Sequence, residues 1–232
     1  IALIAVACGM YLRAQWRYRQ QDEVIERMSA YATAEVDGTE GPQVDWEALK
    51  AVNPDVVGWL QVPGTAVSYP VYQARDNDYY LKRAPDGTYA FGGSVFLDCE
   101  ATAPGLVDAQ SIVYGHHLKN GTMFKDIADM DSQERFDAID TVWYATEERT
   151  FELEPLLLYY TVPEDEEARR FAFDSELARQ RYLEGLLEKA VVSRADAGRI
   201  VLGARHVLTL STCNYYDGSG RTLLVCVPKD EA

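Results

Sequence analysis

Three residue types able to perform acyl transfer stand at the ends of apolar runs in this chain. Cys213 closes "VLTLSTC", the polar segment "NYYDGSG" follows, and Arg221 opens the returning run "RTLLVCV". A thiolate is a strong nucleophile, and cationic neighbours favour it over the thiol. An arginine is always charged and presents a planar fork of donors, suited to an oxyanion or to a substrate backbone. A proton carrier is also needed, and the chain has only three histidines. His116 and His117 end "SIVYGHH", where a strand would open into a loop, the usual place for reactive groups on a rigid frame. Side chains alternate along a strand, so the two histidines are expected to point apart, with only one reaching a given pocket. His206, in "GARHVLTL", reads as an ordinary hydrogen-bonded residue. The plain alternative for Cys213 is inert packing, the common fate of a buried cysteine at a strand end.

Such a trio needs strands to hold it. "VVGWLQV", "AVSYPVYQ", "GGSVFLD", "SIVYGHH", "RFDAIDTVWYAT" and "RTFELEPLLLYYTV" are short apolar runs bounded by Gly, Pro and polar residues, as strands are. One segment breaks the series. In "DSELARQRYLEGLLEKAVV", Leu183, Leu186, Leu187 and Ala190 recur at helical spacing, with Asp174 or Ser175 as the capping residue. The pattern predicts a mostly β domain of seven or eight strands, nearly or fully closed, with a long helix before the last two strands.

Composition narrows the function. The 232 residues carry a formal charge of −15, which argues against non-specific nucleic-acid binding. The four cysteines, Cys8, Cys99, Cys213 and Cys226, include no CxxC pair, which argues against a zinc or redox motif. Free cysteines are expected, with a Cys99–Cys226 bridge as the lesser alternative. The acidic run "PEDEE", residues 163 to 167, reads as a solvated loop in preference to a cation site. At the N-terminus, residues 1–12, "IALIAVACGMYL", are uncharged and are expected to be the end of a longer membrane anchor. Arg13, Arg17 and Arg19 follow immediately, an arrangement that argues against outward export. Residues 13–42 are expected to form a helical stalk and linker, and residues 43–232 the catalytic domain.

The combination of "TLSTC", an arginine eight residues later and "YGHH" about a hundred residues upstream resembles the sortases, cysteine transpeptidases of Gram-positive surfaces. The resemblance runs from about residue 45 to 228. "NPDVVGWLQVPGTAVSYPVYQARDNDYYL" and "SIVYGHHLKNGTMFKDI" are similar to the class B branch. It implies an eight-stranded sortase β-barrel with an N-terminal helical extension. Cys213 matches the nucleophile, which would cleave an LPXTG-like or NPXTX-like sorting signal after threonine through a thioester. His116 matches the catalytic histidine and Arg221 the family arginine. His117 stands where the class often has another polar residue. Asn77, Leu81, Tyr114 and Ser211 match positions lining the substrate groove, where packing or surface polarity is the alternative for each. The resemblance implies no metal and no cofactor. The expected partners are a sorting-signal peptide and an amine acceptor, either a peptidoglycan precursor of the cell wall or a pilin lysine. The expected location is the cell membrane, with the catalytic domain outside. A non-catalytic peptide-binding barrel and a plain cysteine protease are the competing readings. The segment "NYYDGSG", with Tyr215 and Tyr216 beside the nucleophile, is where peptide preference would be set.

Overall fold

The computed structural model describes residues 2–33, 40–213 and 220–232. The chain opens with helix α1 (Ala2–Ser29) and a two-residue ladder, β1 (Ala32–Thr33) with β2 (Gln43–Val44). Helix α2 (Trp46–Val52) is capped by the Asp45 carboxylate, which accepts from Ala48 N at 3.0 Å. The helix ends at Asn53, because the residue before a proline is pushed out of the helical region.

Among the described residues nine strands follow: β3 (Val56–Gln61), β4 (Ser68–Tyr72), β5 (Val95–Leu97), β6 (Gln110–Tyr114), β7 (Val142–Ala145), β8 (Thr150–Thr161), β9 (Ala190–Ser193), β10 (Val207–Cys213) and β11 (Arg221–Pro228). Their order is β11-β10-β6-β5-β4-β3-β7-β8-β9, and β11 also pairs with β8. That last pairing closes eight strands into a barrel and leaves β9 as an extra strand on β8. Closure removes the exposed edges that an open sheet must otherwise protect. The short helices α3 (Lys125–Ala128) and α4 (Gln133–Asp137) lie between β6 and β7.

The expected barrel and helix are present, with one refinement. Helix α5 (Glu176–Glu188) is followed by β9 and by helix α6 (Ala197–Gly203) before the last two strands begin. Ser175 is the residue that caps α5, accepting from Ala178 N at 3.1 Å.

Alternation along each strand divides the apolar residues between two compartments. Leu60, Leu97, Val113, Leu208, Leu210 and Leu224 fill the barrel interior. Val207, Leu223, Val225 and Val227 face outward, under Leu183 and Leu186 of α5 and Ile200 and Val201 of α6. The outward set matters for chemistry: counting by twos from Val207 and Leu223 brings Cys213 and Arg221 to one outer face.

The N-terminal anchor, and the membrane placement with an extracellular catalytic domain that rested on it, are corrected. Among the described residues, no helix is long and apolar enough to cross a membrane. The uncharged run is the first part of α1, which continues without a break through Arg13, Arg17 and Arg19. The far half of α1 docks on the barrel, turning Tyr18, Gln21, Ile25 and Met28 inward at helical spacing.

Candidate active site

Antiparallel register places Cys213 directly opposite Arg221. The Arg221 guanidinium donates from a terminal nitrogen to Cys213 Sγ at 3.5 Å. Tyr114 lies beside Ser211 in the parallel β6–β10 pair. The Gly115 N–H continues that ladder to the Ser211 carbonyl at 3.1 Å. Gly115 must be glycine for steric reasons: a Cβ there would stand 2.6 Å from the Phe124 ring. The ring presses on the backbone just before His116 and fixes where the strand ends.

All seven residues singled out from the sequence line one cleft of about 350 Å³: Cys213, His116, Arg221, Asn77, Leu81, Tyr114 and Ser211. Leu81 contributes through its backbone as well. Its carbonyl, in the short 3-10 turn Tyr79–Lys82, lies 2.7 Å from His116 Nε2. A carbonyl can only accept, so Nε2 carries a proton and Nδ1 is the nitrogen left to titrate. Burial pushes the His116 pKa below the ordinary histidine range. The Leu81 bond opposes that, and the Arg221 and Lys82 charges add to the lowering.

The paired histidines do point apart, as alternation requires. His117 Nδ1 donates to the Cys213 carbonyl at 3.1 Å, so the second histidine ties down the end of the strand that carries the thiol. His206 is bound to Glu231 at 2.7 Å and does not line the cleft. The four cysteines are free, and Cys226 is buried inside the barrel, where desolvation holds its thiol protonated. In the run 163 to 167, Asp165 accepts from Thr161 and Glu167 pairs with Arg170. Tyr215 and Tyr216 lie outside the described residues.

A family model described as the sortase domain matches residues 60–229. The chain belongs to the sortase family. It is 27% identical over 226 residues to sortase B of Listeria monocytogenes, across 92% of this chain and 89% of the relative. The crystal structure of Clostridium perfringens sortase B matches with a TM-score of 0.71 at 31% identity, covering 78% of this chain and 97% of that one. A Bacillus anthracis sortase B structure matches with a TM-score of 0.73 at 26% identity, covering 94% of this chain and all of that one, 100%. The chain is thus a class B sortase, a cysteine transpeptidase.

One part of this sortase's cleft was not foreseen. Asp98, fully buried at the end of "GGSVFLD", gathers three residues that line the cleft, Asn77, Tyr114 and Arg169. Its carboxylate accepts from Tyr114 Oη at 2.7 Å, from Asn77 Nδ2 at 3.1 Å, and from Arg169 Nε and Nη2 at 2.9 Å each. Burial alone would raise its pKa. The Arg169 fork, the Glu100 N–H and the Tyr114 hydroxyl outweigh it and hold the pKa below the usual carboxylate range. The stabilisation is therefore whole above about pH 4, where an unfolded aspartate is ionised, and is lost as pH falls through the lower folded value. The signal in the sequence was an acidic residue ending an apolar strand; nothing marked Arg169 as its partner. Removing one member of a buried pair costs about 3–5 kcal/mol. Arg169 is partly exposed, so Arg169→Ala is expected to cost about 3 kcal/mol, lowering Tm by about 6–12 °C in thermal unfolding.

Proposed function

We propose that this sortase cleaves a sorting-signal peptide of the LPXTG or NPXTX kind after threonine and transfers the acyl part to an amine. The observation that carries the reading is the Cys213 thiol beside the Arg221 guanidinium, with His116 on the same open cleft. The Cys213 thiolate adds to the threonine carbonyl carbon, and the carbonyl electron pair becomes an oxyanion. Arg221 donates to that oxyanion or holds the adjacent peptide carbonyl. The tetrahedral intermediate collapses to a thioester as the C–N bond breaks. The leaving amine takes the His116 Nδ1 proton. The acceptor amine then attacks the thioester, His116 takes back a proton, and the thiolate leaves. Splitting one difficult step into two easier ones is the gain of the covalent route. Asn77, Leu81, Tyr114 and Ser211 form the groove that orients the signal.

The test is product analysis. The protein is incubated with fluorogenic peptides of several sorting-signal types, with and without triglycine or a lysine side-chain amine. Amine-capped product that requires acceptor supports transfer. Hydrolysed product alone, at every acceptor concentration, would sink it in favour of a plain protease. Arg221→Lys keeps the charge but loses the planar fork. It is expected to lower kcat/KM by about 10²-fold in this assay, the scale of one lost oxyanion donor.

A further inference from the structure

Helix α1 grips both segments that hold His116. Gln21 is 2% exposed, whereas its neighbours Gln20 and Asp22 face solvent. Its carboxamide accepts from Gly92 N at 3.0 Å and donates to Gly93 O at 3.2 Å. Gly93 has φ of +56°, and a Cβ there would lie 2.3 Å from the Tyr80 carbonyl oxygen and 2.7 Å from that of Leu81. The Gly93 backbone therefore rests directly against the carbonyl that receives His116 Nε2. Ser94 N fastens the same contact by donating to Tyr80 O at 3.0 Å. On the other side, a Cβ on Gly92 would stand 2.6 Å from Leu118 Cδ1, two residues beyond His116. Asp22 accepts from Asn120 Nδ2 at 2.9 Å, in the loop that leaves His116 and His117.

A buried carboxamide costs free energy unless its hydrogen bonds are made, and an apolar side chain would fill the same place on packing grounds alone. The two backbone bonds are what Gln21 provides. We propose that Gln21 is a positioning residue for acyl transfer: through Gly92 and Gly93 it fixes the Leu81 carbonyl, and thereby the direction of the His116 ring toward Cys213. The inference rests on the assignment of His116 as the proton carrier. Misplacing a catalytic group by about 1 Å can cost up to about 10²-fold in rate, with substrate binding untouched.

The full chain is compared with two variants. Gln21→Met keeps length and burial but makes neither backbone bond. Ile25→Ala loosens the same helix on the barrel core, where Ile25 packs, and leaves the Gln21 bonds in place. Four quantities are read: kcat and KM for peptide transfer, Tm, and the pH profile of Cys213 alkylation by iodoacetamide, resolved by peptide mass with exposed Cys8 as internal reference. The cations bearing on His116, Arg221 and Lys82, are the same in all three proteins. Gln21→Met is expected to lower kcat about 10-fold with KM within twofold. It should also displace the Cys213 profile, with Cys8 unchanged and kcat normal in Ile25→Ala. An unaltered kcat and profile in Gln21→Met overturns the proposal. So does an equal kcat loss in Ile25→Ala at matched Tm. If the wild type transfers no peptide, the sorting-signal reading fails separately. The alkylation profile of Gln21→Met then decides the coupling by itself, displaced in favour and unmoved against.

Discussion

Replacing Cys213 by alanine is expected to abolish cleavage and transfer, a loss on the order of 10⁴-fold or more. The size follows from the covalent route: without the thiolate, no thioester forms, and the remaining groups can only hold the peptide. The fold should survive, because Cys213 sits half-buried at a strand end and truncating it opens no interior cavity. Its Tm is expected to stay within a few degrees of the wild type. Intact mass measured during turnover checks the same point, since an acyl adduct on the wild type must be missing from the variant. Unchanged cleavage would move the nucleophile elsewhere. Cys99 and Cys226 are poor substitutes. The Cys99 thiol is held up by burial and by the Asp98 and Glu100 charges, and Cys226 is sealed in the barrel.

His116→Gln is the second large effect, a loss of about 10³-fold in kcat, within the usual range for a lost general acid–base. Glutamine preserves a donor for the Leu81 carbonyl but has no titrating nitrogen to serve the leaving amine. The pH dependence carries a definite sign. Burial, Arg221 and Lys82 lower the His116 pKa, so the activity limb that follows loss of its proton falls below the ordinary histidine value of about 6.5. Lys82→Gln removes a repelling cation and should move that limb upward in a kcat profile. A downward movement would contradict the assignment of the limb to His116. Linkage adds a stability consequence. As pH falls below about 6.5 the unfolded chain takes up this proton before the folded one does. Stability is therefore lost over that interval, and the loss is complete once pH has passed below the folded value.

Much of this was legible in the residues. The apolar runs, their polar punctuation and the helical stretch before the last two strands specify strands and a long helix, because burial on one face imposes a period of two or of 3.6 on any chain. The outward count from Val207 to Cys213 is a property of the sequence alone. So is the opposition of the two histidines. The N-terminal run shows the limit of such reading. An uncharged stretch looks like an anchor when it is read by itself, yet in the fold it is the first part of a helix whose later turns carry arginines and dock on the barrel. Local composition does not say what a helix packs against.

Register and closure decided the rest. That Cys213 faces Arg221 depends on the register of their hairpin, and that β11 returns to β8 to close the ring depends on pairings between residues far apart in the chain. The Asp98 carboxylate meets Arg169 across 71 positions, and Gln21 meets Gly92 across 71. No spacing rule reaches that far, because such contacts are made by the barrel's curvature and not by any local period. The sequence by itself determined which residue types stand at the strand ends and which face each takes. Only the tertiary structure decided which carbonyl orients His116, which buried carboxylate braces the groove and which helix holds the Gly92–Gly93 turn.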